Sequence, residues 1–191
     1  MIPAVPVEFW RFFDFYTIGA LFVVIGSVVK SHHNKNGAVL KTISQTVAYS
    51  KRSSFIFSIA MTIFFPLYYM FMWLWVGPKI YMPVGFYYLL AISAICEMIF
   101  VWVPATIGKS RKVHEAMATT VGGAMLVLPI IILVYSKYLN IIDKVSILIF
   151  IILAIILSCL FAIRKLRKYT FLFETTYCLI FLATISIIAH S

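Results

Sequence analysis

The stretch that decides the fold class is Val145-Ser-Ile-Leu-Ile-Phe-Ile-Ile-Leu-Ala-Ile-Ile-Leu-Ser-Cys-Leu-Phe-Ala-Ile163, nineteen residues without a charge. At a rise of about 1.5 Å per residue, a helix of this length covers most of the ~30 Å hydrocarbon core of a bilayer. Charged residues flank the stretch, with Lys144 before it and Arg164 directly after it. The stretch is therefore predicted to be a transmembrane helix.

Similar apolar runs recur along the rest of the chain. They predict six spans, at residues 12–30, 55–76, 83–103, 113–136, 145–163 and 170–189. The composition agrees, because 63% of the residues are hydrophobic and only 12% are charged, whereas soluble domains carry about 25% charged residues. The 191 residues are thus expected to form one all-α, polytopic transmembrane domain.

The distribution of Lys and Arg predicts the direction of the spans. Twelve of the 16 basic residues fall in or beside the connections between spans one and two, three and four, and five and six. By the positive-inside rule these connections are cytoplasmic and both termini lie on the non-cytoplasmic side. The net charge of +10 is accounted for by these loops, which are expected to meet anionic lipid headgroups rather than nucleic acid. The longest of them, residues 31–54, is expected to include a helix lying on the membrane surface.

Four ionisable residues near the predicted cytoplasmic side are candidates for a site. Glu97 lies about 9 Å inside the end of span three, Glu174 lies at a similar depth in span six, and His114 and Glu115 open span four. An acid at mid-span costs on the order of 3 kcal/mol on insertion scales, so such residues mark functional positions by default. The shared depth predicts one polar cluster. Because adjacent helical residues point about 100° apart, His114 is expected to point inward and Glu115 to meet a basic residue at the surface.

Several interpretations of this cluster stay open at this point. The acids hold the helices in register, or form a pocket for a lipid headgroup or small molecule, or act in acid–base catalysis, or belong to a proton or ion pathway. The small-xxx-small pairs of span four, Ala118 with Gly122 and Thr119 with Gly123, allow close helix packing or leave room for an acyl chain. Asp14 is expected at the outer interface, paired with Arg11. No cofactor or metal is expected, since no third ligand accompanies His32 and His33.

Three short elements resemble a known family, the six-span DRAM/Frag-type membrane proteins and their uncharacterised bacterial relatives. The first is Ile43-Ser44-Gln45 before span two, the second is Pro104 followed by His114 with Ala116 and Ala118, and the third is Glu174. The resemblance implies a lipid-associated function with Ser44, Gln45, His114 and Glu174 near one another, but no particular reaction. Gln45 stands where the family has an acid, so a role that needs a negative charge there is not expected.

Three classes of function follow. The favoured one is a non-catalytic role in lipid binding or membrane-lipid organisation, in a prokaryotic cytoplasmic membrane, with membrane lipids and either a second copy or another membrane protein as partners. The alternative is an intramembrane lipid-modifying enzyme that uses His114 as general acid or base, with Glu97 or Glu174 orienting it. No recognisable nucleophile motif accompanies that histidine. A small transporter or channel is the third class.

Overall fold

The computed structural model describes residues 8–10, 12–16, 18–20, 22–23, 26, 51–103, 109–163, 166 and 169–191. Within these residues the fold is all-helical and has no strand. The helices are α1, helical at the described positions between 8 and 26; α2, Lys51–Phe71; α3, Val84–Trp102; α4, Lys109–Tyr135; α5, Ile141–Ala162; and α6, Thr170–His190. The helix α2 continues through a π-helical turn, Met72–Val76, into a last α-helical turn, Gly77–Lys79.

Five of the described helices have the length and hydropathy of membrane spans. They are Ser54–Lys79, Val84–Trp102, Ser110–Tyr135, Ile141–Leu160 and Leu172–His190, with mean hydropathies from 1.8 to 2.6. These helices support the predicted multi-pass membrane fold. The described part of α1 overlaps predicted span one at residues 12–16, 18–20, 22–23 and 26. Most of the predicted surface helix, within 31–54, lies outside the described residues.

The start of α5 shows why a helix begins earlier than hydropathy alone predicts. The Asn140 side chain accepts a hydrogen bond from the Asp143 backbone N–H at 2.9 Å, and the Asp143 carboxylate accepts one from the Asn140 N–H at 3.1 Å. This reciprocal capping box satisfies backbone donors that the first helical turn leaves without partners. The helix therefore starts at Ile141 and takes Asp143 and Lys144 into its first turn, ahead of the uncharged run.

The helices form a closed ring in chain order. Each of α2 to α5 packs on the next helix, and α6 returns to the π-helical turn of α2. At that junction the Trp75 indole N–H and the Lys79 ammonium donate to the Ala189 carbonyl at 3.2 and 2.9 Å. A cation and donors at the C-terminal end of a helix satisfy its last carbonyls and offset its dipole. This end of the bundle is thus joined by specific polar contacts.

The N-terminal helix α1 packs over the same end of the ring. The Trp10 ring is buried and lies 5.9 Å from the Phe71 ring and 6.0 Å from the Trp75 ring, centroid to centroid. Such aromatic pairs contribute beyond the area they bury. The same helix reaches the interior further along, where Phe22 lines the cavity described below.

The close approach of α2 and α3 depends on a glycine, which gives a testable expectation. A Cβ atom on Gly77 would lie 2.7 Å from the Tyr87 hydroxyl oxygen and 2.9 Å from its Cε1, whereas a Cβ on Gly85 would meet nothing within 4 Å. Overpacking typically costs about 1–3 kcal/mol. We expect Gly77→Ala to lower the thermal unfolding midpoint in detergent micelles, and Gly85→Ala to leave it unchanged or raise it. Equal midpoints for the two variants would contradict this close packing.

Candidate functional site

A cavity of about 290 Å³ lies between α2, α3, α4 and α6, with Phe22 of α1 on its wall. Most of its wall is apolar. Lining side chains include Met61, Phe65, Met72, Phe100, Val121, Met125, Leu128, Phe181 and Leu182. The lining of α6 runs from Glu174 to Leu182, about 12 Å along the helix axis, and that of α4 from Ala118 to Leu128, about 15 Å. The cavity is therefore elongated along the bundle.

Two of the chain's six acidic residues, Glu97 and Glu174, line this cavity. Glu97 is buried, with 7% of its surface exposed, and its Oε2 accepts a hydrogen bond of 2.6 Å from the Tyr69 hydroxyl. A carboxyl group removed from water needs such a partner. One hydrogen bond uses only part of the acceptor capacity of a carboxyl group. The two acids predicted to share a depth thus share a cavity.

Two of the small residues of span four also face this cavity. Ala118 and Gly122 line it, and the Gly122 carbonyl accepts a hydrogen bond of 2.8 Å from the Tyr177 hydroxyl of α6. A Cβ atom on either Gly122 or Gly123 would meet nothing within 4 Å, but Gly123 is exposed and does not line the cavity. Of the two explanations for the small residues, space beside the helix applies to Ala118 and Gly122.

The Tyr68 hydroxyl is the unusual polar group of the wall. Tyr68 lines the cavity and has only 4% of its surface exposed. Its hydroxyl oxygen is buried and has no hydrogen-bond partner among the described residues. Because buried hydroxyls nearly always have a partner, this one is available to a molecule or a water bound beside it.

His114 points into the bundle as expected, but it is not among the residues that line the cavity. It is buried, and its Nδ1 lies 2.7 Å from the Val103 carbonyl oxygen. Since a carbonyl only accepts, Nδ1 carries the proton and donates it. The imidazole ring also packs edge-on against Phe100, with centroids 5.1 Å apart. Val103 lies six residues beyond Glu97, about 9 Å along the axis of α3. The contact of His114 with Val103 therefore joins α4 to the C-terminal end of α3.

Glu115 lies apart from the cavity, and two of the residues indicated by the resemblance, Ser44 and Gln45, lie outside the described residues. Glu115 is exposed and forms an ion pair of 2.7 Å with Arg111 one helical turn earlier, which is the surface contact expected for it. Ser44 and Gln45, proposed as ligand-binding residues, lie outside the described residues. The part of the chain that the structure describes contains no group of three His, Cys, Asp or Glu side chains placed to hold a metal ion.

The hydrogen bond of His114 predicts a structural effect. Replacing His114 by alanine leaves the half-buried Val103 carbonyl without its donor, which costs about 1 kcal/mol or more. We expect a lower unfolding midpoint for His114→Ala, measured by thermal unfolding in micelles. Glu115→Gln is the matched control, because an exposed ion pair contributes about 0–1 kcal/mol. An unchanged midpoint for His114→Ala would show that this contact does not stabilise the junction.

A second polar cluster was not predicted from the sequence. Asp14 of α1 is fully buried, accepts a hydrogen bond from the Ser186 hydroxyl, and lies 3.0 Å from the His190 Nε2 of α6. The expected position of Asp14 at the outer interface and its ion pair with Arg11 stay predictions, because Arg11 lies outside the described residues; the contacts with Ser186 and His190 were not predicted. Ser186 and His190 are four residues apart and share a helix face. That spacing, opposite an acid in an apolar run, is the signal that could have indicated the cluster.

Comparisons with protein-family models, curated proteins and solved structures find no match to this chain. The resemblance to the DRAM/Frag-type family therefore stays a prediction. Of its elements, Ser44, Gln45 and Pro104 lie outside the described residues, whereas Glu174 lines the cavity and His114 packs at the α3–α4 junction.

Proposed function

We propose that the protein binds one amphiphilic, lipid-like molecule inside its helix bundle, in a role that involves no catalysis. The observation that carries this proposal is the elongated apolar cavity with two carboxyl groups on its wall. Ligand sites in proteins are typically of this kind, mostly apolar with a few polar groups that fix the orientation of the ligand. Such a wall suits a hydrocarbon chain with a single polar head.

The lining of the cavity also supports an orientation for the ligand. Glu174 is the first cavity residue of α6, and the apolar side chains Phe181 and Leu182 follow it along the same helix. On α4 the apolar wall continues past Gly122 to Met125 and Leu128. In the proposed complex the polar head lies beside Glu97 and Glu174, and the chain extends along α4 and α6 toward Leu128 and Leu182.

The position of His114 favours binding over catalysis. A general acid or base has to reach the reacting group within a hydrogen bond or through one water molecule. His114 does not line the cavity, Phe100 packs against its ring, and its Nδ1 proton is engaged by the Val103 carbonyl. The proposal accordingly assigns this histidine a packing role.

Lipid headgroups at the membrane surface are the second proposed contact. Arg111 and Lys112 at the start of α4 are exposed, and they belong to the basic connections assigned to the cytoplasmic side. Each Lys or Arg near an anionic leaflet contributes about 1 kcal/mol to attraction. This contact is independent of the cavity and is shared by many membrane proteins.

Native mass spectrometry of the purified protein tests the proposal. We expect one amphiphile retained per chain in the wild type and in Gly123→Leu, and loss of most of it in Gly122→Leu. Both substitutions add the same side chain to neighbouring positions with open space around them, but only the first fills the cavity. Retention of the amphiphile by Gly122→Leu at the wild-type level would reject the cavity as the binding site.

A further inference from the structure

The charges around the cavity indicate the class of head group that it recognises. Among its described lining residues are two acids, Glu97 and Glu174, and no Lys, Arg or His. This bias is opposite to that of the whole chain, which has 16 basic and 6 acidic residues. A chain with a large excess of positive charge thus places a third of its acids on one interior wall.

We propose that the ligand is an amphiphile with net positive charge, a lipid-like amine whose ammonium group lies beside Glu97 and Glu174. This inference rests on the proposed function and narrows it to one chemical class. At the buried position of Glu97, an ammonium group and a carboxylate attract each other more strongly than in solution. The attraction offsets part of the cost of holding acids in an apolar wall.

Hydroxyl and aromatic groups complete the proposed head-group site. The Tyr69 hydroxyl donates to Glu97 at 2.6 Å and so fixes the orientation of that carboxyl group. The Tyr68 hydroxyl has no partner among the described residues and can accept one of the three N–H donors of an ammonium group. Phe65 and Phe100 also line the cavity, and the faces of aromatic rings attract cations.

A net cation fits this wall better than a zwitterion or an anion. A phosphate group brought in with the amine would need Lys, Arg or backbone N–H partners, and none of the described cavity residues is basic. A fatty acid would place a third carboxyl group in a cavity that already holds two, and nearby like charges disfavour one another. We therefore expect the cavity to bind a simple long-chain amine more tightly than a phosphoethanolamine lipid, although both carry an ammonium group.

The test compares four probes that share a fourteen-carbon chain: tetradecylamine, tetradecanol, tetradecanoic acid and the lysophosphatidylethanolamine with a tetradecanoyl chain. Occupancy is measured by native mass spectrometry at equal probe concentration. We expect the amine to bind at least about tenfold more tightly than the alcohol, which corresponds to about 1.4 kcal/mol, with the acid weakest. The lysophospholipid is expected to bind no more tightly than the alcohol.

Substitutions of the acids complete the test. The double variant Glu97→Gln with Glu174→Gln is expected to remove the preference for the amine while the alcohol still binds. Glu115→Gln is the control, because that residue is exposed and paired with Arg111. Equal binding of amine and alcohol, or tighter binding of the lysophospholipid, would overturn the cation inference and leave amphiphile binding standing. Absence of binding by all four probes would overturn the proposed function as well.

Discussion

Replacing Asp14 by alanine is expected to destabilise the bundle by about 1–3 kcal/mol, the usual cost of leaving a buried hydrogen-bonding group without its partner. Asp14 is fully buried and joins α1 to α6 through Ser186 and His190. Its loss leaves the Ser186 hydroxyl and the His190 imidazole without their acceptor. The measurement is the thermal unfolding midpoint in micelles, together with a denaturant titration of the same variants.

Two variants separate the buried contact from general effects on α1. Glu8→Ala changes an exposed acid of the same helix and is expected to alter stability by less than about 0.5 kcal/mol. Asp14→Asn keeps the shape and part of the hydrogen bonding, so it should fall between wild type and Asp14→Ala. If Asp14→Ala unfolds at the same midpoint as Glu8→Ala, the contact between α1 and α6 does not contribute to stability.

The second large effect concerns Glu97 and Tyr69. We expect this pair to contribute to ligand binding and not to the stability of the fold. Replacing both partners of a buried polar contact by apolar groups is often neutral or stabilising, by up to about 1–4 kcal/mol. We expect the double variant Glu97→Met with Tyr69→Phe to unfold at or above the wild-type midpoint in the absence of ligand. The same variant should lose much of its preference for the amine over the alcohol, because one of the two carboxyl groups beside the proposed head-group position is gone.

The single variant Glu97→Met shows how much stability is lost when only one partner of the hydrogen bond is removed. Glu97→Met alone leaves the Tyr69 hydroxyl without its partner at 2.6 Å, so it should be less stable than the double variant by about 1–3 kcal/mol. A double variant that unfolds below the wild-type midpoint would mean that the pair supports the fold. The interpretation of Glu97 as a residue kept for binding would then be wrong.

The helical architecture follows from features that act locally along the chain. An uncharged run such as Val145–Ile163 has to satisfy its backbone groups within one segment, and a helix does so. Boundaries were harder to predict, because α5 begins at the capping box of Asn140 and Asp143 rather than at the first uncharged residue. A hydropathy pattern averages over many residues, whereas a helix end is decided by two or three hydrogen bonds.

For the candidate site, the sequence could predict only how far along each helix the residues lie. The positions of Glu97, His114 and Glu174 along their helices indicate a shared end of the bundle, but not the direction in which each side chain points. Glu97 and Glu174 meet the same cavity, whereas His114 turns to the Val103 carbonyl. The contact between Asp14 and Ser186 joins residues 172 positions apart, and neither apolar run alone indicates that the two helices are neighbours.

The most direct test of amphiphile binding is photo-crosslinking with a fourteen-carbon chain that carries a diazirine at its far end and either an amine or a hydroxyl head. The crosslinked residues are identified by peptide mass spectrometry. We expect labelling of residues in the cavity wall, Met125, Leu128 and Leu182, and loss of that labelling in Gly122→Leu but not in Gly123→Leu. Labelling confined to outward-facing residues of the same helices, such as Val127 and Ile130, would place the amphiphile in the surrounding bilayer and contradict binding inside the bundle.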